Sequence, residues 1–118
     1  MPKAEKKSLA TPDDTRKFNN GAVEVVNVAG GSVGRYTFAP GWKWSQDVKP
    51  IAGTDHCMSE HHMYQISGVM HVVMADGTEL DMRPGDVGIV PPGHDAWVVG
   101  NEPVVGVDWA GMANYGKR

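Results

Sequence analysis

The sequence predicts a single all-β domain of the β-sandwich or small-barrel type. Short apolar runs with β-type composition recur roughly every 8–12 residues. Turn residues separate these runs, and glycine occupies 15 and proline 8 of the 118 positions. Helical periodicity is almost absent, and an apolar fraction of 41% is ordinary for one domain with its own hydrophobic core.

The chain begins with a polar, lysine-rich stretch. Residues 1–10 are predicted to form a flexible tail. The segment TPDDT, which starts at Thr11, offers a helix N-cap, a proline at the first helical position and two aspartates in the first turn, so a short helical turn is expected. The predicted organisation is therefore a tail and arm over residues 1–20 and a β-barrel domain over residues 21–118.

The β-type runs of the barrel domain follow one another in order. They are AVEVVNV (22–28), SVGRYTF (32–38), HMYQIS (62–67), VMHVVM (69–74), VGIV (87–90), AWVV (96–99) and VVGVDW (104–109). Residues 39–50 contain too many turn residues for a regular element, whereas Asp76-Gly77 is typical of a tight hairpin. Several runs look apolar on both faces, which predicts that a sheet packs against a second subunit in a homodimer.

Two segments resemble the sequence motifs of the cupin superfamily. YQISG (64–68) is similar to the end of the first motif, G(x)5HxH(x)3–4E(x)6G, and GDVGIVPPG (85–93) matches the start of the second, G(x)5PxG. The resemblance covers roughly residues 35–109. It implies a jelly-roll, double-stranded β-barrel with a short N-terminal arm, in which three or four imidazole and carboxylate ligands hold one metal ion.

The ligand positions of the motifs are where this chain departs from the family pattern. Counting back from Gly68 places Thr54 at the first histidine, His56 at the second and His61 at the glutamate. The histidine of the second motif is replaced by Ala96.

An alternative register stays open, with His56 as the first histidine and His62 at the glutamate position. His94 stands two residues before Ala96 and is a candidate for the missing histidine. The predicted metal ligands are therefore His56, His61 and His62. Neutral imidazole suits Fe, Cu, Mn, Ni and Zn, so the expected cofactor is one divalent transition metal of unspecified identity, and no organic cofactor is expected.

Strand alternation predicts which side chains face the barrel interior. His61, Met63 and Gln65 point one way and His62 the other. Two tryptophans in PGWKW are expected at the cavity mouth. The predicted pocket residues are Gln65, Met63, Trp44, Trp42, His94 and Ala96. Cys57 is interpreted as a small buried hydrophobe that points away from His56.

Two functional hypotheses follow. The first is a metal-binding cupin whose open coordination positions polarise a small oxygenated molecule or activate dioxygen, as a dioxygenase-like or isomerase-like enzyme would. The second is a metal-free cupin that binds or senses a small metabolite. The sequence leaves both open, as well as the question of whether the protein is an enzyme.

Charge and composition restrict the partners. The formal net charge of −3 gives no basic footprint for nucleic acid. No apolar run is long enough to span a bilayer, and a single cysteine excludes an internal disulfide. We expect a cytoplasmic protein that binds a small molecule, without a nucleic-acid or membrane partner.

Overall fold

The computed structural model describes residues 3–117 and contains two antiparallel β-sheets. Strands account for 48% of the chain and helices for 7%, which confirms the predicted all-β class. The strands are β1 Asp14–Phe18, β2 Gly21–Val28, β3 Gly31–Phe38, β4 His61–Ser67, β5 Val69–Met74, β6 Glu79–Met82, β7 Val87–Val90, β8 His94–Val99 and β9 Val104–Asp108. The helices are α1 Trp44–Asp47 and α2 Lys49–Ala52.

The larger sheet has six strands in the order β1-β2-β3-β9-β4-β7, and the smaller has three in the order β6-β5-β8. Each neighbouring pair is antiparallel. Side chains alternate between the two faces of a strand, and the inward-facing ones from both sheets form one buried apolar cluster. The core therefore lies between the sheets, as the jelly-roll prediction requires.

The predicted strands are all present, with ends that differ by at most two residues from the sequence prediction. The hairpin at Asp76-Gly77 is also confirmed, because Gly77 adopts a φ of +92° and the Met74 N–H donates to the Thr78 carbonyl oxygen at 2.7 Å. Three elements of the barrel domain were missed. β6 is short and mostly exposed, so it lacks an alternating apolar pattern, and the stretch 39–50 contains α1 and the start of α2.

The helical turn predicted near Thr11 is wrong. The chain there extends into β1, which pairs with β2 from Asp14 opposite Val25 onward. The Asp13 carboxylate, expected at a helix N-terminus, accepts the backbone N–H of Asn27 at 2.8 Å. Pairing with β2 satisfies the backbone of this segment over more residues than one isolated helical turn would.

Residues 109–117, which we term the C-terminal strap, follow the last strand and cover one end of the core. The Arg16 guanidinium donates to three strap carbonyl oxygens, those of Met112, Ala113 and Tyr115, at 2.8–2.9 Å. The side chains of Met112 and Tyr115 are buried. A Cβ on Gly34 would lie 2.3 Å from the Cγ of Met112, so the strap packs directly on the glycine backbone of β3.

The outer face of the six-stranded sheet carries exposed apolar side chains on β4 and β7. These are Tyr64, Ile66, Val87 and Ile89, each more than 40% exposed. The homodimer predicted from the sequence stays a prediction. Substitutions on this exposed apolar face would test it. Within residues 3–117, no helix is long and apolar enough to cross a membrane.

Candidate metal centre

Cys57, His61 and His94 converge at one end of the core. Cys57 lies in the loop before β4, and its backbone bridges to that of His94, with the Cys57 N–H donating to the His94 carbonyl oxygen at 2.8 Å. His61 begins β4 and His94 begins β8. One ligand atom of each side chain lies within 4.8 Å of the other two, and all three residues are at most 4% exposed. Two imidazoles and one thiol thus form a compact, buried cluster.

A buried carboxylate fixes the imidazole of His61. The Nδ1 atom of His61 lies 2.5 Å from Oδ2 of Asp108, the last residue of β9, and its Nε2 atom lies 3.7 Å from the Sγ atom of Cys57. The second carboxylate oxygen, Oδ1, accepts three backbone N–H groups at 2.9–3.2 Å, those of His62, Ala110 and Gly111. Asp108 is therefore fully engaged, and it holds the ring with Nε2 directed at the thiol.

A backbone carbonyl fixes the imidazole of His94. Its Nδ1 atom lies 2.8 Å from the carbonyl oxygen of Pro91, and because a carbonyl oxygen can only accept, Nδ1 carries the proton. When the ring is neutral, Nε2 carries the lone pair and can bind a ligand. Histidines that bind metals commonly engage their second nitrogen in this way with a carboxylate or a carbonyl group. Both imidazoles of the cluster meet that requirement.

The cluster is also electrostatically coupled. Burial raises the pKa of the Cys57 thiol, but hydrogen bonds from His61 and His94 outweigh it and lower that pKa to about 6. Burial lowers the pKa of His61, but the bonds to Asp108 and to Cys57 raise it to about 9. Burial likewise raises the pKa of Asp108, and the bond to His61 brings it below its usual range. Near neutral pH the metal-free cluster is thus a thiolate, an imidazolium and a carboxylate.

A cavity adjoins the cluster in the space between the sheets. His61, His94 and Asp108 are the ionisable imidazole and carboxyl groups of its wall, and most of the remaining wall is apolar or aromatic. Five aromatic residues contribute, namely Tyr36, Phe38, Trp42, Trp44 and Tyr115. The cavity leaves about 30 Å³ to the centres of water-sized molecules. This is space for the centres of molecules and not their full volume, so a small ligand fits.

Five of the six predicted pocket residues line this cavity. They are Met63, Trp42, Trp44, His94 and Ala96. Gln65 is fully buried but lies outside the cavity wall. Its Oε1 atom accepts the Tyr36 hydroxyl at 2.8 Å and its Nε2 atom donates to the carbonyl oxygens of Ser67 and Gly68. Its amide thus has internal partners on both atoms.

Of the three predicted metal ligands, the structure places only His61 in the cluster. His62 follows it on the strand and so points to the outer face, where its Nε2 atom lies 3.2 Å from a Glu60 carboxylate oxygen. His56 lies in an irregular segment before β4, and its carbonyl oxygen accepts the Thr54 hydroxyl at 2.7 Å. The assignment of His56 from the family motif required a regular strand at residues 54–56, but β4 begins only at residue 61.

Sequence reasoning missed the roles of Cys57, Asp108 and Tyr115. Cys57 is buried as predicted, at 3% exposure, but it contacts the histidines instead of apolar neighbours alone. Asp108 could have been noticed in the sequence. It lies at an inward-facing position of the apolar strand β9, where a buried carboxylate needs a partner. Tyr115 belongs to the C-terminal strap, for which no pattern was recognised.

No protein-family model and no curated protein sequence matches the chain. Solved structures do. A sugar phosphate isomerase of the cupin superfamily from Silicibacter pomeroyi superposes with a TM-score of 0.64 at 18% identity, over 92% of this chain and 76% of that one. A cupin-like protein from Thermotoga maritima superposes with a TM-score of 0.56 at 16% identity, over 82% of this chain and 73% of that one. A variant oxalate decarboxylase from Bacillus subtilis superposes with a TM-score of 0.56 at 23% identity, over 84% of this chain and 28% of that one. These likenesses show that the chain has the fold of the cupin superfamily.

Proposed function

We propose that the protein binds one divalent transition-metal ion through Cys57, His61 and His94, and that this centre acts on a small molecule held in the adjoining cavity. The observation that carries the proposal is the convergence of three nitrogen and sulfur ligand atoms within 4.8 Å in the core. His94 and Cys57 thereby take the places that the sequence assigned to His56 and His62.

The spacing of the ligand atoms fits a metal ion. Zinc binds imidazole nitrogen at about 2.0–2.1 Å and thiolate sulfur at about 2.3 Å, so tetrahedral geometry separates two such ligands by about 3.6 Å. The Sγ atom of Cys57 and the Nε2 atom of His61 are 3.7 Å apart. Three protein ligands would leave a fourth position open, as in catalytic zinc sites, and two of the three, His61 and His94, also line the cavity.

The donor set narrows the choice of metal. Thiolate and imidazole suit zinc, copper, iron and nickel, whereas manganese prefers oxygen ligands. Zinc is the first ion to test because sulfur and nitrogen donors in tetrahedral geometry are typical of it. When bound, such an ion supplies a Lewis acid that can polarise a small oxygenated molecule. Within this chain, Asp108 orients His61, and the aromatic wall keeps bulk water away.

The metal-free hypothesis keeps one specific supporting observation. The imidazole of His61 bonds to the Asp108 carboxylate through Nδ1 and lies beside the Cys57 sulfur through Nε2, so its two nitrogens have partners without an ion. On this second hypothesis the cluster is a structural network at the end of a binding pocket, and the protein binds or senses a small metabolite.

Zinc binding distinguishes the two hypotheses. Protein purified without an affinity tag is expected to retain or take up about one equivalent of zinc in elemental analysis. An ion at 100 times its Kd stabilises a folded protein by about 2.7 kcal/mol, so the melting temperature should rise with zinc and fall again with a chelator. An unchanged melting temperature together with no retained metal would support the metal-free pocket.

Zinc affinity is expected to rise with pH, because protons compete for the ligand atoms. The pKa of His61 is about 9, so below pH 9 an incoming ion must displace a proton from its imidazolium. The apparent affinity should increase about tenfold per pH unit between pH 6.5 and 8.5 and level off above 9. Below pH 6 the Cys57 thiol is protonated too, and the slope should steepen. Competition titrations with a zinc indicator measure this, and a flat profile from pH 7 to 8.5 would contradict the assignment of His61.

The cytoplasmic location predicted from the sequence is consistent with the proposed centre. A reducing compartment keeps the single thiol available as a ligand.

A further inference from the structure

We infer that the cavity receives a small uncharged molecule that carries a hydrogen-bond acceptor, for which the indole N–H of Trp42 is the donor. The inference rests on the proposed function, because it names the class of molecule on which the proposed centre would act. Three features of the cavity support it: an unpartnered donor, the charge of the wall and the available space.

The unpartnered donor is the Nε1–H group of Trp42. Trp42 lines the cavity and is 2% exposed, and within residues 3–117 its Nε1 atom has no hydrogen-bond partner. Buried polar groups nearly always have a partner, so this one indicates that something else supplies an acceptor. Trp42 is part of the cavity wall, so we assign this acceptor to a molecule in the cavity.

The indole ring is held in place before any ligand arrives. Its plane lies within 6° of that of Phe38, with ring centroids 3.7 Å apart. The backbone is fixed as well, since the Trp42 N–H donates to Ala39 and the Val98 N–H donates to the Trp42 carbonyl oxygen, each at 3.0 Å. A donor fixed in this way loses little conformational freedom on binding, which favours a ligand that matches its position.

The charge of the wall disfavours anions. The lining residues include neither lysine nor arginine, and the one carboxylate, Asp108, is already bonded to His61 and to three backbone N–H groups. With a divalent ion bound, the Cys57 thiolate and Asp108 balance its two charges. An anionic ligand would therefore place an uncompensated charge in an apolar, aromatic cavity, at a large desolvation cost. Carboxylic acids and phosphate esters are poor candidates, and neutral carbonyl compounds or alcohols are good ones.

The space limits the size of the ligand. The cavity leaves about 30 Å³ to the centres of water-sized molecules. Because this is space for the centres of molecules and not their full volume, the cavity accommodates several such groups without rearrangement. The ligand, or the part of it that enters the cavity, thus has only a few non-hydrogen atoms.

The test compares 2-butanone with propionate, two probes of equal size that differ in charge. Nitrogen-15-labelled protein is titrated with each probe, metal-free and zinc-loaded, and the indole N–H signals of the four tryptophans are followed by NMR. The Trp42 signal, identified by sequential resonance assignment of the wild-type protein, is expected to shift saturably with 2-butanone and to stay unchanged with propionate. This comparison uses only the wild-type chain, so it stands even if a variant fails to fold.

The variants test the hydrogen bond itself. Trp42→Phe removes the donor and should weaken 2-butanone binding by about fivefold or more, the effect of one lost hydrogen bond. Trp109→Phe is the matched control, since Trp109 is 48% exposed and does not line the cavity, and it should bind 2-butanone within about twofold of wild type. Near-ultraviolet circular dichroism shows whether each variant keeps its packed core.

Each failure has a separate meaning. Equal shifts with propionate and 2-butanone would overturn the selection for uncharged ligands. No shift at Trp42 with either probe, or equal 2-butanone affinity in wild type and Trp42→Phe, would overturn the role of the indole. If zinc binds while 2-butanone does not, only this inference fails. If 2-butanone binds while zinc does not, only the metal proposal fails.

Discussion

Replacement of His61 by alanine is expected to abolish stoichiometric zinc binding, whereas the same replacement of His62 should leave it intact. The two residues are adjacent, but only the imidazole of His61 faces Cys57 and His94. Loss of a ligand should cost more than the roughly 10–100-fold that a change in a supporting residue costs. The zinc content of desalted protein and the affinity from indicator competition measure this effect.

The pair of variants is informative because both remove one histidine from the same strand. His62→Ala controls for the loss of an imidazole and for general effects on β4. A loss of zinc in His62→Ala alone would show that zinc binds through the register with His56 and His62, and equal losses in both variants would contradict a site that uses only His61 of the two. Full zinc binding in His61→Ala would place the site elsewhere.

Replacement of Asp108 by alanine is expected to destabilise the metal-free protein by about 3–5 kcal/mol, the usual effect of removing one partner from a buried ion pair. Asp108 is fully buried, and the substitution leaves the imidazolium of His61 and three backbone N–H groups without their acceptor. The pKa of Asp108 is held below its usual range, so its stabilising effect is present in full at pH 7 and is lost as the pH falls through that lowered pKa. Denaturant unfolding at pH 7 measures the difference.

Asp108→Asn is the matched control for charge. An asparagine Oδ1 atom can still accept the backbone N–H groups, so the loss of stability should be smaller than with alanine. The orientation and basicity of His61 still change, and zinc affinity should fall about 10–100-fold. A loss below about 1 kcal/mol in Asp108→Ala would contradict the description of Asp108 as the buried partner of His61.

Most of the fold could be predicted because its signals are local. Alternating apolar residues and glycine or proline turns mark β2, β3 and β5 in the sequence itself. The N-terminal segment shows the limit. Its capping signals at Thr11 are local, but pairing with β2 decides its conformation, and strand pairing is a tertiary interaction.

The candidate site was only partly accessible from the sequence. The alternation of side chains along β4 correctly predicted that His61 and Met63 face inward. The contact between Cys57 and His61 could not be predicted, because Cys57 lies in an irregular loop whose path depends on its backbone bridge to His94. The pairing of His61 with Asp108 joins strands that are distant in the chain, and spacing carries no information about it.

X-ray absorption spectroscopy of the zinc-loaded protein tests the central claim most directly. The proposed centre predicts one sulfur at about 2.3 Å and two imidazole nitrogens at about 2.0–2.1 Å, with the sulfur contribution lost in Cys57→Ser. A shell of nitrogen and oxygen alone in the wild-type protein, or the same spectrum in Cys57→Ser, would contradict a metal centre built on Cys57, His61 and His94.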